Sequence, residues 1–466
     1  MKQAELIFIP MPGIGHLVST IEFAKSLIDR DDRLLITILS MKFPFIPTAD
    51  AYTRSLTASQ PRIQLIDLPQ VDPPPSDLWS SPENYLCVYI ENYVPTVKNT
   101  VTDIVSSNSN SGSSRVVGLV LDLFCVSMID VGRELSLPSY LFLTSSAGFL
   151  GLMLCLPSRH DQIGTEFSEL DPDLLIPGIV NPVPSGVLPS PLFNKDGGYT
   201  ASVKLARRFR DTKGIIVNTF RDLEPYGLDS FSDGKTPTVY AVGPVLDLKG
   251  QPNPDLDEAQ RDNIMKWLDD QPPLSVVFLC FGSMGSFGAD QVKEIALGLE
   301  GSGHRFLWAL RTPTSMPFAD DVLPEGFLDR IKGKGMICNG WAPQVEVLAH
   351  KAIGGFVSHC GWNSILESLW HGVPIVTWPI YAEQQLNAFR MVRELGLAVE
   401  MRLDYRNGGD LVLADEIESA VRGVMDGNEV RKKVKEMGEM ARKAVMDGGS
   451  SFISIGQLIE DMIGSS

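Results

Sequence analysis

Short hydrophobic segments alternate with longer amphipathic segments along most of the chain. Uninterrupted apolar runs are typical of strands buried on both faces of a parallel sheet. Directly after the first run, Leu17, Ile21, Ala24 and Ile28 recur at helical spacing. The apolar runs of the first half cover residues 6–9, 34–39, 63–68, 116–121, 140–143 and 215–217. This alternation predicts an α/β fold with a doubly wound parallel sheet, in which ligands bind at the carboxyl ends of the strands.

The same alternation starts again in the second half, after a change of composition. Residues 244–258 are rich in Gly, Pro, Asp and Asn, which is typical of a linker. We therefore expect a Rossmann-like domain over residues 1–243, a linker over 244–258, a second Rossmann-like domain over 259–448 and a terminal helix over 449–466. The apolar runs of the second half cover residues 276–280, 306–310, 336–338, 355–357, 374–377 and 397–400.

Two segments interrupt the regular pattern in the first half. Residues 106–114 are a polar, low-complexity run of Ser, Asn and Gly. This composition predicts a surface loop between a helical stretch near 83–105 and the next strand. Residues 174–191 contain several prolines, which predicts irregular structure.

Charge and cysteine content narrow the class of protein. The chain of 466 residues has 40 Lys and Arg against 57 Asp and Glu, a net charge of −17. Such a surface does not favour nucleic acid or acidic membranes. The six cysteines lack C-x-x-C spacing, which indicates free thiols in a reducing compartment. The N-terminal apolar run is too short for a signal peptide. The apolar run at 147–156 is too short to span a membrane. We expect a cytoplasmic monomer that does not insert into membranes.

A candidate acid–base pair lies at the carboxyl ends of two predicted strands. His16 closes the turn after the first strand, and Asp122 follows the strand at 116–121. An imidazole is a suitable general base near neutral pH when a neighbouring carboxylate fixes its tautomer. The alternative for each residue is an N-cap hydrogen bond at the start of the following helix. Together they predict a base and its orienting acid.

A candidate anion site lies in the second half. Residues 355–357 form an apolar run, His359–Trp362 form a turn, and a helix is predicted over 363–370. The first amides of a helix lack partners and lie at its positive end, so this arrangement favours a phosphate, with His359, Asn363 and Ser364 as further donors. No Lys or Arg lies between Lys351 and Arg390. The alternative is a capping box formed by Ser364 and Glu367 without a ligand.

Residues on either side of this site suit the rest of a nucleotide sugar. Trp341 can stack on a base, and Gln344 and Glu367 can bind ribose hydroxyls. Glu383 and Gln384 follow the run at 374–377 and can bind sugar hydroxyls.

The segment from Trp341 to Gln384 resembles the signature box of plant secondary-product UDP-glycosyltransferases. That box has 44 residues, opens with Trp-Ala-Pro-Gln and closes with an acidic residue and Gln, as this segment does. The resemblance extends to much of the remaining chain, especially to the flavonoid and triterpenoid glucosyltransferases. It implies a GT-B type fold with two Rossmann-like domains facing each other across a cleft. It also implies a terminal helix that returns to the first domain.

The resemblance assigns catalysis to His16 and Asp122 and implies glucose as the donor sugar, because the box ends in Gln384. Thr144 matches a sugar contact of the family. The residues expected to bind the UDP-sugar are Thr144, Ser283, Trp341, Ala342, Gln344, His359, Gly361, Trp362, Asn363, Ser364, Glu367, Glu383 and Gln384.

The predicted reaction is inverting transfer of glucose from UDP-glucose, a co-substrate, to a hydroxyl of a small hydrophobic acceptor. Flavonoids and other phenolics come first, and triterpenoids next. Candidate acceptor contacts in the first half are Tyr85, Phe124, Phe142 and Leu188. We expect no cofactor and no metal, because the Asp-x-Asp pairs fall in polar loops.

Two other classes of protein fit parts of this pattern. A nicotinamide-dependent oxidoreductase would share the Rossmann-like halves, but the glycines at 282, 285 and 288 lack the G-x-G-x-x-G spacing. A non-catalytic nucleotide-sugar sensor would keep the box and has no need of His16 and Asp122.

Overall fold

Two parallel β-sheets organise the chain, one in each of two structural units. A computed structural model describes residues 3–43, 54, 60–112, 114–249, 258–311, 322–406 and 409–464. The first unit comprises Met1–Ser185, Pro191–Asp247 and Lys443–Ser466, and the second comprises Gly186–Ser190 and Leu248–Arg442. The predicted linker falls at this division, and its residues 250–257 lie outside the described residues.

Among the residues that the structure describes, the first sheet has seven strands in the order β3-β2-β1-β4-β5-β6-β7, with every neighbouring pair parallel. Its central strands β1 and β4 are almost entirely buried, because helices cover both faces. The strands are β1 (Gln3–Ile9), β2 (Leu34–Ser40), β3 (Ile63–Asp67), β4 (Ser114–Asp122), β5 (Ser139–Leu143), β6 (Gly214–Val217) and β7 (Thr238–Ala241). The short edge strand β7 was not predicted from the sequence.

The helices of this unit pack their apolar sides on the sheet. Leu17, Ile21 and Phe23 of the first helix are buried in the core with Leu6 and Phe8 of β1. The helices are α1 (Ile14–Arg30), α2 (Pro82–Glu91), α3 (Val94–Ser111), α4 (Ile129–Glu134), α5 (Ala147–Ile163), α6 (Gly198–Phe209) and α7 (Pro225–Ser230).

In the described part of the second unit, the sheet has six strands in the order β10-β9-β8-β11-β12-β13, again with parallel neighbours. The prediction of an α/β fold with two doubly wound sheets is therefore confirmed. The strands are β8 (Val276–Cys280), β9 (Arg305–Leu310), β10 (Gly335–Asn339), β11 (Ile353–Ser358), β12 (Ile375–Thr377) and β13 (Ala398–Glu400). The helices are α8 (Glu258–Asp269), α9 (Ala289–Ser302), α10 (Phe327–Arg330), α11 (Gln344–Ala349), α12 (Trp362–His371), α13 (Gln384–Phe389), α14 (Ala414–Asp426) and α15 (Glu429–Val445).

The last helix, α16 (Ser450–Ile463), packs on the first unit. Leu458 and Ile459 belong to the core of the first sheet. The Tyr240 hydroxyl of β7 donates to the Asp461 carboxylate, and the Ser451 hydroxyl donates to the Gly243 carbonyl. Apolar burial and hydrogen bonds together fix this helix on the sheet.

The polar segment at 106–114 is not a loop over most of its length, and this prediction was wrong. Helix α3 continues to Ser111 and ends at Gly112, whose positive φ of 65° suits glycine. Hydroxyl groups along the helix, including that of Ser109, donate to carbonyls four residues earlier. These bonds satisfy the hydroxyl groups within the helix, so a Ser-rich end remains compatible with it.

Within the described part of the chain, no helix has both the length and the apolar character needed to cross a membrane.

Candidate functional site

His16 and Asp122 form a hydrogen-bonded pair at the carboxyl edge of the first sheet. The strands β1 and β4 are neighbours, with Ile9 beside Leu121, so the segments that follow them emerge together. The Nδ1 atom of His16 lies 2.7 Å from Oδ2 of Asp122. The imidazole is 26% exposed and the carboxylate is fully buried, which leaves the ring open to a substrate while its partner is protected from water.

The two N-cap alternatives have different outcomes. Helix α1 begins at Ile14 with Gly13 as its N-cap, so His16 is a first-turn residue and not the cap. Asp122 does cap a short 3-10 helix, Leu123–Met128, because its Oδ1 atom accepts the Phe124 amide at 3.0 Å. The N-cap and the contact with His16 use different oxygens of one carboxylate, so the two interactions occur together.

This geometry is compatible with proton transfer at His16. When Nδ1 donates to Asp122, the lone pair of the neutral ring is on Nε2, the nitrogen that can accept a proton from a hydroxyl group. A buried carboxylate in this position would stabilise an imidazolium.

Thr144, which the family resemblance assigns to the sugar, lies beside the same pair. It follows β5, is 8% exposed, and its Oγ1 atom is 3.1 Å from Nδ1 of His16. A hydroxyl group and a carboxylate therefore face one ring nitrogen.

The four candidate acceptor contacts are dispersed. Phe124 is half-buried, and its ring centroid is 5.8 Å from that of His16. Phe142 and Tyr85 are buried and stack on other aromatic rings of the first unit. Leu188 is fully buried in the short segment that belongs to the second unit. Of the four, Phe124 is the residue that the structure places against the candidate base.

The candidate anion site lies between β11 and α12. Cys360 adopts a positive φ of 62°, and Gly361 is the N-cap of the helix. The amides of Trp362, Asn363 and Ser364 therefore form the first turn of a ten-residue helix. The capping-box alternative was wrong, because Ser364 is the third residue of the helix and not its cap. The helix begins earlier than predicted, since Trp362 is already helical.

His359 is held at this site in an uncharged form. Its ring is 6% exposed and lies between two glycines: an added Cβ at Gly282 or Gly361 would be 2.6 or 2.5 Å from Nε2. No described residue makes a hydrogen bond with its buried Nδ1 atom. Burial lowers the pKa of His359 to about 4, since the charged ring would be poorly solvated.

The predicted ribose contacts form a connected group. Gln344, the first residue of α11, donates from Nε2 to Oγ of Ser364 at 2.9 Å and to Oε2 of Glu367 at 2.7 Å. Trp341 is half-buried just before this helix, and its carbonyl accepts a hydrogen bond from Gln260 of α8 at 2.9 Å. Side-chain hydrogen bonds therefore join helix α11 to helix α12 within the 44-residue box.

The acidic residue and glutamine that end the box lie after β12. Gln384 is buried, and its Oε1 atom accepts the amides of Ile380 at 2.9 Å and Tyr381 at 3.0 Å. Its carbonyl oxygen is occupied by its own loop, so the NH₂ group is the part that can serve a ligand. Glu383 is half-buried beside it and adds a carboxylate.

Further contacts bring the end of the box to the anion site. The ring centroids of Tyr381 and His359 are 6.5 Å apart, and Asn387 donates to the Cys360 carbonyl at 3.2 Å. Ser283 is half-buried after β8, next to the glycine that contacts the His359 ring. Ala342, the residue after Trp341, is buried.

Sequence reasoning missed Gly282 and Asn387 as parts of this site. Gly282 was considered only for its spacing from the glycines at 285 and 288, and that spacing did not indicate that it would lie on the His359 ring. In the parts of the chain that the structure describes, no group of three or more His, Cys, Asp or Glu side chains is placed to hold a metal ion.

Comparison with known proteins identifies the family of the chain. The profile of the family described as "UDP-glucoronosyl and UDP-glucosyl transferase" matches residues 260–446. The chain is 62% identical to UDP-glycosyltransferase 71K1 of Malus domestica, with complete coverage of both chains. It is 55% identical to flavonol 3-O-glucosyltransferase UGT71C4 of Arabidopsis thaliana, over 99% of this chain and 98% of that one.

A solved structure is similar over the same extent. The crystal structure of Medicago truncatula UGT71G1 complexed with UDP-glucose has 61% sequence identity and a TM-score of 0.93, and the match covers 99% of each chain. Full-length similarity at this identity is inconsistent with a nicotinamide-dependent oxidoreductase. The chain belongs to the plant UDP-glycosyltransferase family.

Proposed function

We propose that this UDP-glycosyltransferase transfers glucose from UDP-glucose to a hydroxyl of a small phenolic acceptor and forms a β-O-glucoside with inversion at the anomeric carbon. A relative at 55% identity is named a flavonol 3-O-glucosyltransferase, which favours flavonols as the first acceptors to test. Triterpenoid alcohols come next. The similar Medicago truncatula structure contains UDP-glucose, which supports glucose as the donor sugar.

The observation that carries the proposal is the 2.7 Å contact between His16 Nδ1 and Asp122 Oδ2. Nε2 of His16 takes the proton of the acceptor hydroxyl, and the acceptor oxygen forms a bond to the anomeric carbon. The bond from that carbon to the UDP oxygen breaks at the same time, on the opposite face of the sugar, and UDP leaves with the electron pair. Asp122 stabilises the imidazolium until its proton is released to water.

The first turn of α12 is the proposed site for the diphosphate. Negative charge builds on the leaving UDP, and the amides of Trp362, Asn363 and Ser364 lie at the positive end of the helix. His359 is uncharged, so it can donate one hydrogen bond to a phosphate oxygen but brings no formal charge. Ser283 adds a hydroxyl from the neighbouring turn.

The remaining contacts follow the order of the nucleotide sugar. Uracil stacks on Trp341, and the ribose hydroxyls bind Gln344 and Glu367. Glu383 accepts hydrogen bonds from sugar hydroxyls, while Gln384 donates from its NH₂ group because its oxygen is already occupied. Since this arrangement uses amides, hydroxyls and uncharged side chains for the diphosphate, we propose catalysis without a metal ion. We also propose that the protein acts as a cytoplasmic monomer.

Purified protein with UDP-glucose and a panel of flavonols, other phenolics and triterpenoid alcohols tests the function directly. We expect a monoglucoside by mass spectrometry, a large anomeric proton coupling constant in NMR that identifies the β-glucoside, and full activity after treatment with a chelator. An α-glucoside would contradict inversion, and loss of activity on chelation would contradict the metal-free mechanism.

The variant His16→Ala tests the base. We expect turnover to fall about 10²–10⁴-fold, the usual share of a general base, while calorimetry shows unchanged UDP binding. The matched control is His304→Ala, which changes a half-buried histidine of the second unit that pairs with Asp426. Turnover of His16→Ala equal to that of the control would refute the assignment of the base.

A further inference from the structure

Several apolar side chains of the first unit are exposed along one irregular segment. Leu170 and Leu175 are 94% and 78% exposed, and Pro172 and Pro182 are exposed in the same stretch. Single exposed leucines are common on protein surfaces, but a contiguous group of apolar side chains is typical of a binding surface. These residues have no part in the proposed catalytic or nucleotide site, so their exposure needs another explanation.

Backbone pairing brings two of these side chains to one face. Leu174 and Val183 exchange main-chain hydrogen bonds of 2.8 and 2.9 Å as an antiparallel pair, which closes a short hairpin. Side chains alternate between the two faces of such a pair, so Leu175 and Pro182 lie together on one face. Val183 is buried on the opposite face. The hairpin therefore has an inner face that packs on the unit and an outer apolar face in solvent.

Two further contacts extend the outer face. The Ser185 hydroxyl donates to the Glu169 carbonyl at 2.8 Å, which holds the preceding turn beside the base of the hairpin. An added Cβ at Gly178 would lie 3.1 Å from the Cα of Gly227, so the start of α7 lies next to the hairpin tip. We call the surface formed by the exposed apolar side chains of this region the hairpin patch, which comprises Leu170, Pro172, Leu175, Pro182 and Tyr226.

The structure beneath the hairpin patch is closely packed. An added Cβ at Gly151 of α5 would lie 1.8 Å from the Pro177 carbonyl oxygen, so the hairpin rests directly on the backbone of that helix. Arg159 of α5 donates to the Glu166 carbonyl at 3.2 Å and lies over the Phe167 ring, 3.6 Å from its centroid. A surface that is already ordered loses little conformational entropy when a partner binds to it.

Acidic side chains accompany the hairpin patch. No Lys or Arg lies between Arg159 and Lys195 in the sequence. Arg159 is itself paired with Asp171 at 3.1 Å, whereas Glu169 and Asp173 are exposed. Because the whole chain carries a net charge of −17, an acidic membrane or a second copy of the chain would be repelled by this surface. A partner that presents lysine or arginine beside apolar side chains would be attracted to it.

We propose that the hairpin patch is a docking surface for a partner protein whose contact surface combines apolar side chains with lysine or arginine. Leu170 and Leu175 pack against the apolar side chains of the partner, and Glu169 and Asp173 pair with its basic residues at the rim. Apolar burial supplies most of the affinity, and the charges select this partner over others. Neither the donor nor the acceptor takes part, so docking is separate from glycosyl transfer.

A labelled helical model peptide of leucine and lysine serves as the probe, and fluorescence anisotropy measures its binding to the full chain. The double variant Leu170→Ser with Leu175→Ser removes apolar area, and Glu169→Lys with Asp173→Lys reverses the charge. We expect each double variant to weaken peptide binding at least about tenfold. Added salt should weaken binding to the parent protein, and a peptide of leucine and glutamate should not bind.

The matched control is Leu411→Ser with Leu413→Ser. These two leucines of the second unit are also exposed, and they lie between Asp410 and Asp415 in the sequence. We expect this control to bind the peptide as the parent protein does. Thermal unfolding of all variants checks that they are folded.

Equal peptide binding by the parent protein, the two hairpin-patch variants and the control would overturn the proposal, because the attraction would then depend only on overall charge. Binding of the parent protein to phosphatidylcholine vesicles but not to the peptide would also refute it, since the occupant would be a membrane. A dimer in light scattering that Leu170→Ser with Leu175→Ser abolishes would refute it too, since a second copy of the chain would cover the patch.

Discussion

The buried, uncharged state of His359 makes the stability of the ligand-free second unit depend on pH. The pKa of this imidazole is lowered from 6.5 to about 4 by burial between the two glycines. The unfolded chain binds a proton at pH values where the folded chain does not, so stability is fully present above pH 6.5 and is lost as the pH falls towards 4. The free energy of unfolding is therefore about 2 kcal/mol lower at pH 5 than at pH 7.5, since one pKa unit corresponds to 1.36 kcal/mol.

The measurement is urea unfolding of the ligand-free protein at pH 7.5 and pH 5, compared with the variant His359→Gln. Six of the seven tryptophans belong to the second unit, so tryptophan fluorescence reports mainly on the part that contains His359. Carboxylates titrate equally in both proteins, so the difference between the two pH responses isolates the contribution of the imidazole. The control His304→Gln should behave like the parent protein. Identical pH responses of the parent and His359→Gln would refute the conclusion that this ring is buried without a proton.

Two further predictions concern one residue in each unit. Asp122→Asn should lower kcat at least about 100-fold in steady-state assays. Its unfolding temperature should change little, because an asparagine oxygen still caps the Phe124 amide. An unchanged kcat would contradict the orienting role. Gly361→Ala should weaken UDP binding at least about tenfold by calorimetry, since its Cβ would lie 2.5 Å from His359 Nε2 and displace the ring. Gly288→Ala, whose Cβ would meet nothing within 4 Å, is the control, and equal affinities of the two variants would refute the steric argument.

Local sequence determined much of the nucleotide site. The strand, turn and helix from β11 to α12 follow one another along the chain, so their hydrophobic pattern and the glycine at 361 were enough to predict an anion site. His16 and Asp122 were predicted at the same sheet edge because both follow apolar strands. Their 2.7 Å contact also required β1 and β4 to be neighbours, which is a property of strand order and not of either segment.

Other features depend on contacts between distant segments and were not predicted. Gly282 meets His359 because β8 and β11 pair in parallel, with Cys280 beside Ser358. Thr144, which follows β5 and contacts the His16 ring, was assigned by the family resemblance only to the sugar. The length of α3 was underestimated because residue propensities at its Ser-rich end do not include hydrogen bonds back to the helix.

The divided use of the Asp122 carboxylate has a consequence for altering acceptor preference. Oδ2 contacts Nδ1 of His16, the proposed base, and Oδ1 accepts the amide of Phe124. The Phe124 ring lies near the imidazole. Phe124 is a proposed acceptor contact, so a substitution there that moves the turn would also move the carboxylate that caps it. A substitution at Phe124 is therefore expected to change both acceptor selectivity and turnover. Libraries that vary this residue should be screened for turnover as well as for product identity.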